Sequence, residues 1–175
     1  EYGADPVKGR IEYDLKEKKT YLSGQAWIRY QGMDLRAANL TIEWQKDLIT
    51  AEGVSDTTDS LGRPVYRGTP VFKEGNDVME GHAMVYNFKT RKGKINLGKT
   101  AYGSGFYYGR DIKKVGPDVM YVQSGRFTSC DVANEPHYYF YSPKMKIIPQ
   151  DKIIARNIFF YIADVPMPFI IPFGV

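Results

Sequence analysis

Apolar side chains fall on every second position through most of residues 21–54. Leu22, Ala26, Ile28 and Tyr30 share one parity, with the small Gly24 among them. Leu40, Ile42 and Trp44 share a parity after the turn-like Gln31, Gly32, Met33 and Asp34. Period-two patterning sends alternate side chains to opposite faces of a pleated strand, so this stretch predicts two strands and a tight connection. A helix over residues 35–48 competes, because Asp34 can cap it and Ala37 and Ala38 favour it. The alternation at Leu40, Ile42 and Trp44 favours the strand. The motif returns around Gly53 and again at Met79, Gly81, Ala83 and Val85. The near-equal spacing of Gly24, Gly53 and Gly81 predicts one supersecondary unit stacked on copies of itself.

The same reading continues along the chain. Ile11, Tyr13 and Leu15 alternate with Glu12 and Asp14 over residues 8–15, which predicts a strand with one wet face. Residues 55–64 collect Ser, Thr, Asp, Gly and Pro without apolar periodicity and predict an exposed loop. Further strands are expected over residues 65–72, 76–88, 119–130, 137–148 and 152–162, and an irregular glycine-aromatic edge over 101–108. The fold class is therefore all-β: an elongated, open β-jelly roll or sandwich of stacked short antiparallel strands, forming a single domain over residues 1–175.

Composition agrees, since 14 Tyr and 9 Phe beside 17 Gly and 10 Pro favour strands and turns over helices. Twenty-four Lys and Arg against 20 Asp and Glu give a net charge of +4, which suits an anionic partner without requiring one. Cys130 is the only cysteine in the sequence, so it pairs with nothing inside the chain. The first residues contain no basic and apolar leader. The apolar run over residues 158–175 is interrupted by Asp164, Pro166, Pro168 and Pro172 and does not read as a membrane-spanning helix.

Several motifs have a plainer reading than the chemistry they suggest. Gly93, Gly98, Lys99 and Thr100 match the spacing of a phosphate-binding loop, but such a loop must open a helix, and Ile95 and Leu97 alternate as in a strand. Cys130, Asp131 and His137 contain the pieces of a nucleophilic site without a spacing that assembles them, and two histidines with one cysteine make a poor metal set, so no metal or cofactor is expected. Asn39 falls in a glycosylation sequon but inside an expected strand. The clusters Lys16–Lys19, Lys89–Lys94 and Lys113 with Lys114 read as solvated turns. The aromatics Tyr107, Tyr108, Tyr138 and Phe140 read as core, and nucleic acid is not an expected partner.

Leu22, Ser23, Gly24, Gln25 and Ala26, together with Ala51–Val54 and Met79–Gly81, resemble the repeats of lipopolysaccharide-transport β-jelly-roll domains. The carboxy-terminal part narrows the resemblance. Phe127–Cys130, Ala155–Asn157 and the run from Val165 through Pro168 and Phe169 to Gly174 are similar to the end of the periplasmic domain of the outer-membrane lipopolysaccharide-assembly family, just ahead of its β-barrel.

The resemblance implies a non-catalytic domain in the periplasm, attached to the outer membrane through a barrel in the same full-length chain. It would receive lipopolysaccharide from a periplasmic bridge protein of the same jelly-roll family and pass it to that barrel. Cys130 falls where the family joins this domain to the barrel by a disulfide, although the family's second cysteine near the amino terminus is missing here. Leu22, Ala26, Ile28, Leu40, Ile42, Trp44, Met79, Ala83 and Val85 are the candidates for an apolar trough holding acyl chains, with a closed core as the alternative. Ile11, Tyr13 and Leu15 are the candidate edge for docking the bridge by strand addition. A soluble shuttle of the same fold and a carbohydrate-binding jelly roll are the competing functions.

Overall fold

A computed structural model describes residues 1–58, 60, 62, 64–75, 77–102, 105–116, 119–132, 136–148 and 151–175, apart from the side chains of Asp56, Asp77 and Tyr102. Among them it contains strands and no helix. In chain order the strands are β1 (Tyr2–Gly3), β2 (Arg10–Asp14), β3 (Lys19–Tyr30), β4 (Met33–Glu43), β5 (Leu48–Glu52), β6 (Val54–Thr58), β7 (Pro64–Arg67) and β8 (Val71–Glu74). There follow β9 (Asp77–Glu80), β10 (Ala83–Asn87), β11 (Lys92–Tyr102), β12 (Gly105–Gly116), β13 (Val119–Thr128), β14 (Tyr138–Ile148), β15 (Lys152–Ile162) and β16 (Val165–Gly174). The chain divides into two compact units, Glu1–Ile95 and Asn96–Val175.

The first unit is built on the β3–β4 ribbon. Its hairpin turns at Gln31 and Gly32 with φ of 45° and 83°, the left-handed pair whose twist matches the flanking strands. Midway along β3, Gly24 and Gln25 are both left-handed, at 77° and 53°. There the register moves from Ser23 opposite Asn39 to Ala26 opposite Ala37, a bulge that gives β3 one extra residue. The bulge is a corner at which each strand changes its outer neighbour. β2 pairs with the first half of β3 and β1 with the second, while β8 pairs with the first half of β4 and β5 with the second. Where β4 passes from one to the other, the Ala38 N–H donates to the Gly68 carbonyl at 2.7 Å.

Strands β4, β5, β10, β11, β9 and β8 hydrogen-bond in a closed antiparallel ring. Closure removes the unpaired edges those strands would otherwise expose. The interior holds Leu22, Leu35, Leu40, Ile42, Ile49 and Met79, all fully buried, and the rings of Phe72 and Tyr86 meet across it at 4.9 Å. The buried positions on β4 shift from Met33, Leu35 and Ala37 to Leu40 and Ile42, so the corner keeps both halves facing inward despite the change of parity.

The second unit is an antiparallel meander in which β12 to β16 each pair with the next. Ile112, Val122, Met145 and Ala155 are successive cross-strand partners and form one buried row. A second row stacks the rings of Tyr107, Phe127, Phe140 and Phe160, with centroids 4.7, 6.4 and 4.8 Å apart. Between the rows lies Pro143, which has no N–H to give a ladder. Ser124 and Asn157, opposite it on the two flanking strands, adopt left-handed φ of 50° and 53°. At the far edge β16 exposes Val165, Phe169, Ile170 and Phe173.

Some local expectations change. Part of the expected loop over residues 55–64 is hairpin, because Val54–Thr58 pairs with Pro64–Arg67, while Asp59, Leu61 and Arg63 lie outside the described residues. Lys113 and Lys114 lie within β12 and not in a turn, and Lys114 is buried. The run after Ile162, read only as an interrupted apolar stretch, is strand β16, paired with β15 from Val165 to Gly174.

Candidate functional site

Six of the nine trough candidates converge. Leu22, Ala26, Ile28, Leu40, Ile42 and Met79 are buried together in the interior of the first unit. The other three do not join them. On β10 the inward positions are Met84 and Tyr86, fixed by their pairing with the buried Ala51 and Ile49, so Val85 faces outward and Ala83 is half-buried. Trp44 lies just past the end of β4 and is 43% exposed. Its indole N–H donates to the buried Thr20 hydroxyl at 2.8 Å, and its ring lies 5.8 Å from Tyr2 and 6.5 Å from Phe88. Tyr30 adds to this aromatic margin at 5.5 Å from Phe88. Sequence reasoning did not single out Tyr2, which belongs to no alternating run, or Phe88, which continues the parity of Met84 and Tyr86 but lies just past the end of β10.

A groove of about 840 Å³ lies on the outer face of β3, β4 and β8. Register assembles it. Arg29, Asp34 and Lys73 are successive cross-strand partners, as are Trp27, Arg36 and Val71, and partners across a sheet share a face. Ala4, Asp5 and Pro6 form one wall, and Arg67, Gly68 and Thr69 the other. Ala26 and Ala37 also line the groove although both are buried, so at these two positions the groove adjoins the interior.

Among the described residues lining the groove, Arg29, Arg36, Arg67 and Lys73 are the cations and Asp5 and Asp34 the carboxylates. Asp34 accepts from Arg36 at 2.9 and 3.1 Å and from Arg29 at 3.0 Å. Arg36, with Arg29 adding to it, holds the Asp34 carboxyl below the ordinary carboxylate range, and Asp34 in turn raises Arg36. The Arg29 guanidinium also lies 5.2 Å from the Trp27 ring centroid. Asp5 is turned inward on its own loop, accepting from the Val7 and Lys8 N–H groups at 2.8 Å, which lower its pKa, the Lys8 bond the more. The site thus offers an excess of cations beside short apolar side chains, suited to an anionic group attached to an aliphatic body.

The other sequence candidates are placed as follows. Strand β2 carries Ile11 and Tyr13 with Leu15 just beyond it; all three are exposed, and β2 pairs only with β3 among the described strands. Cys130 is half-exposed, and its Sγ stands 3.4 Å from His137 Nδ1. The pairing of β13 with β14 brings together two residues whose spacing in sequence gave no geometry. Gly93, Gly98, Lys99 and Thr100 lie in β11, so no helix N-terminus faces them. Of the basic cluster around Lys89, Arg91 pairs with Glu74 at 2.6 Å. Among the described residues no group of three or more His, Cys, Asp and Glu is placed to hold a metal ion.

Fold and groove together define an antiparallel β-sandwich of jelly-roll type with a cation-lined groove on one face. In comparison with known proteins, the sequence matches no family model and is significantly similar to no individual characterised protein.

Proposed function

We propose that the chain is a non-catalytic lipopolysaccharide-transport domain of the periplasm, with its groove and interior serving the phosphorylated and acyl parts of the lipid. The observation that carries the reading is the shared boundary at Ala26 and Ala37, where a cation-rich groove adjoins a largely apolar interior. A lipid with an anionic head and several acyl chains needs both environments side by side. The side chains of the interior are buried against one another, so acyl entry requires the unit to open; the margin of exposed Tyr30 and Trp44 with half-buried Tyr2 and Phe88 is the proposed place of opening. The exposed β2 edge supports docking of a bridge protein by strand addition. The exposed apolar side chains of β16 support contact with an outer-membrane barrel belonging to the same full-length protein.

Photo-crosslinking tests the reading. A photoreactive residue at Val71 in the groove or Ile28 in the interior is expected to form lipopolysaccharide adducts, and one at the exposed Thr90 turn is not. Adducts at none of the three, or equally at all three, would overturn it.

A further inference from the structure

The outer face of the second unit has its own depression, of about 370 Å³. Arg110 and Arg126 line it with Tyr108 and Tyr141, and the buried Gly98 and Gly109 lie beneath them. Tyr108 pairs with Arg126, and Arg126 with Tyr141, so one cross-strand row supplies three of the four side chains; Arg110 follows Tyr108 at two-residue spacing on the same face. The hollow exists because Leu97 and Ser124, both at its lining, have left-handed φ of 47° and 50°, which breaks the pleat. Gly109 is required by the interior side of the sheet, where a Cβ would lie 2.5 Å from the buried Val122 Cγ1.

The charges converge without being neutralised. Arg126 lies over the Tyr139 ring at 5.4 Å, and no carboxylate among the described residues forms an ion pair with it. Arg110 contacts Asp111 at 3.1 Å, but both side chains are more than half exposed, and such a pair is weak. The Lys99 ammonium lies 5.8 Å from the Tyr108 ring centroid. Among the described residues, the charged side chains lining the hollow are those of Arg110 and Arg126, with Lys99 beside Tyr108; Asp111 stands beside Arg110, and Asp164 accepts from Tyr139. Burial raises the Tyr108 pKa, so its phenol remains a hydrogen-bond donor at neutral pH.

We infer that this depression binds a phosphate monoester, with the guanidinium forks of Arg110 and Arg126 holding the phosphoryl oxygens and Tyr108 and Tyr141 supplying phenol donors. The match is one of charge and shape: two guanidinium groups with an ammonium close by favour an anion, and a tetrahedral phosphoryl group accepts from two forks at once. The inference concerns the second unit alone and does not depend on the groove in the first.

Titration of the whole 175-residue chain with inorganic phosphate and then glucose 1-phosphate, followed by backbone amide NMR at constant ionic strength, tests it. Flotation with phosphatidylcholine vesicles, with and without phosphatidic acid, separates a lipid headgroup from a soluble ester. Saturable shifts confined to the amides of Gly98, Gly109 and Gly125 are expected. Arg110→Gln and Arg126→Gln should each weaken binding about tenfold, the loss of one charged hydrogen-bond set. Arg126→Lys should recover it only in part. Both arginines are exposed, so dispersed amide spectra of the variants confirm that the fold is kept. Flotation that requires phosphatidic acid and Arg126 identifies a lipid source; saturable binding of glucose 1-phosphate without flotation identifies a soluble one. Shifts that never saturate, or that persist unchanged in both glutamine variants, overturn the inference.

Discussion

The Ser142 hydroxyl stands 2.7 Å from the carbonyl oxygen of Arg156 and 2.9 Å from that of Lys144, so its single hydrogen serves these two backbone acceptors beside Pro143, which has no N–H to give. Ser142 is fully buried, so water does not substitute for it. Ser142→Ala should therefore cost about 1–3 kcal/mol, the penalty for a buried acceptor left without a partner. Urea unfolding measures it, and an unchanged midpoint would show that the β14–β15 ladder does not depend on this side chain.

Gly24 and Gly32 separate two effects of a β-carbon. Both have left-handed φ, 77° and 83°, so an L-residue is strained at either by about 1–2 kcal/mol. At Gly32 nothing lies within 4 Å of an added methyl, whereas at Gly24 it would stand 2.7 Å from the Lys8 carbonyl oxygen. Gly24→Ala should destabilise more than Gly32→Ala, and the difference measures the close approach at the corner. Equal losses would mean that the loop over residues 4–9 yields freely.

Acid should loosen the groove. Because Arg36 and Arg29 lower the folded-state pKa of Asp34, its contribution to stability is fully present above the ordinary carboxylate value, about pH 4, and is lost as pH falls through the lower folded value. Asp34→Asn should flatten that part of the acid limb. Thermal midpoints between pH 7 and pH 2.5 check this, and parallel curves for parent and variant would assign the acid sensitivity to other groups.

Strand parity was legible where one strand could be read alone. Leu22, Ala26 and Ile28 on β3, and Leu40 and Ile42 on β4, all turn inward as their alternation predicts. The corner was not legible. Gly24 reads as a marker of repetition, yet its structural role comes from the two left-handed residues opposite Ala38, which only the pairing of β3 with β4 reveals. Val85 was placed on the wrong side because β10 is aligned by its contacts with β5 and not by its own weak pattern. The groove was illegible for a related reason: Arg29, Arg36, Arg67 and Lys73 come from different strands and turns, and no local spacing links them.

The closed interior and the exposed margin should respond oppositely to charge. Ile42 is fully buried, and a carboxylate there has neither water nor a cationic partner, so Ile42→Glu should cost several kcal/mol or unfold the first unit. Trp44→Glu should leave the fold intact, losing only the hydrogen bond to Thr20 and the ring contacts at the margin, about 1–3 kcal/mol. Circular dichroism melts distinguish the two, and a stable Ile42→Glu variant would mean that the interior opens readily to water.

Cys130 should react in the folded protein. Its thiol is half-exposed, and its backbone N–H donates at 3.0 Å to Thr128 Oγ1, which itself donates to the Tyr138 carbonyl at 2.7 Å. These bonds hold the base of the β13–β14 connection and keep Sγ 3.4 Å from His137 Nδ1, within reach of an imidazole that can take the thiol proton as a disulfide is attacked. A disulfide reagent should thus label one thiol per folded chain, and His137→Ala should slow the labelling without changing its extent. A partner disulfide in a longer chain would abolish labelling until reductant is added. Labelling only after denaturation would identify Cys130 as a packing residue, and an unchanged rate in His137→Ala would leave the imidazole with no part in the reaction.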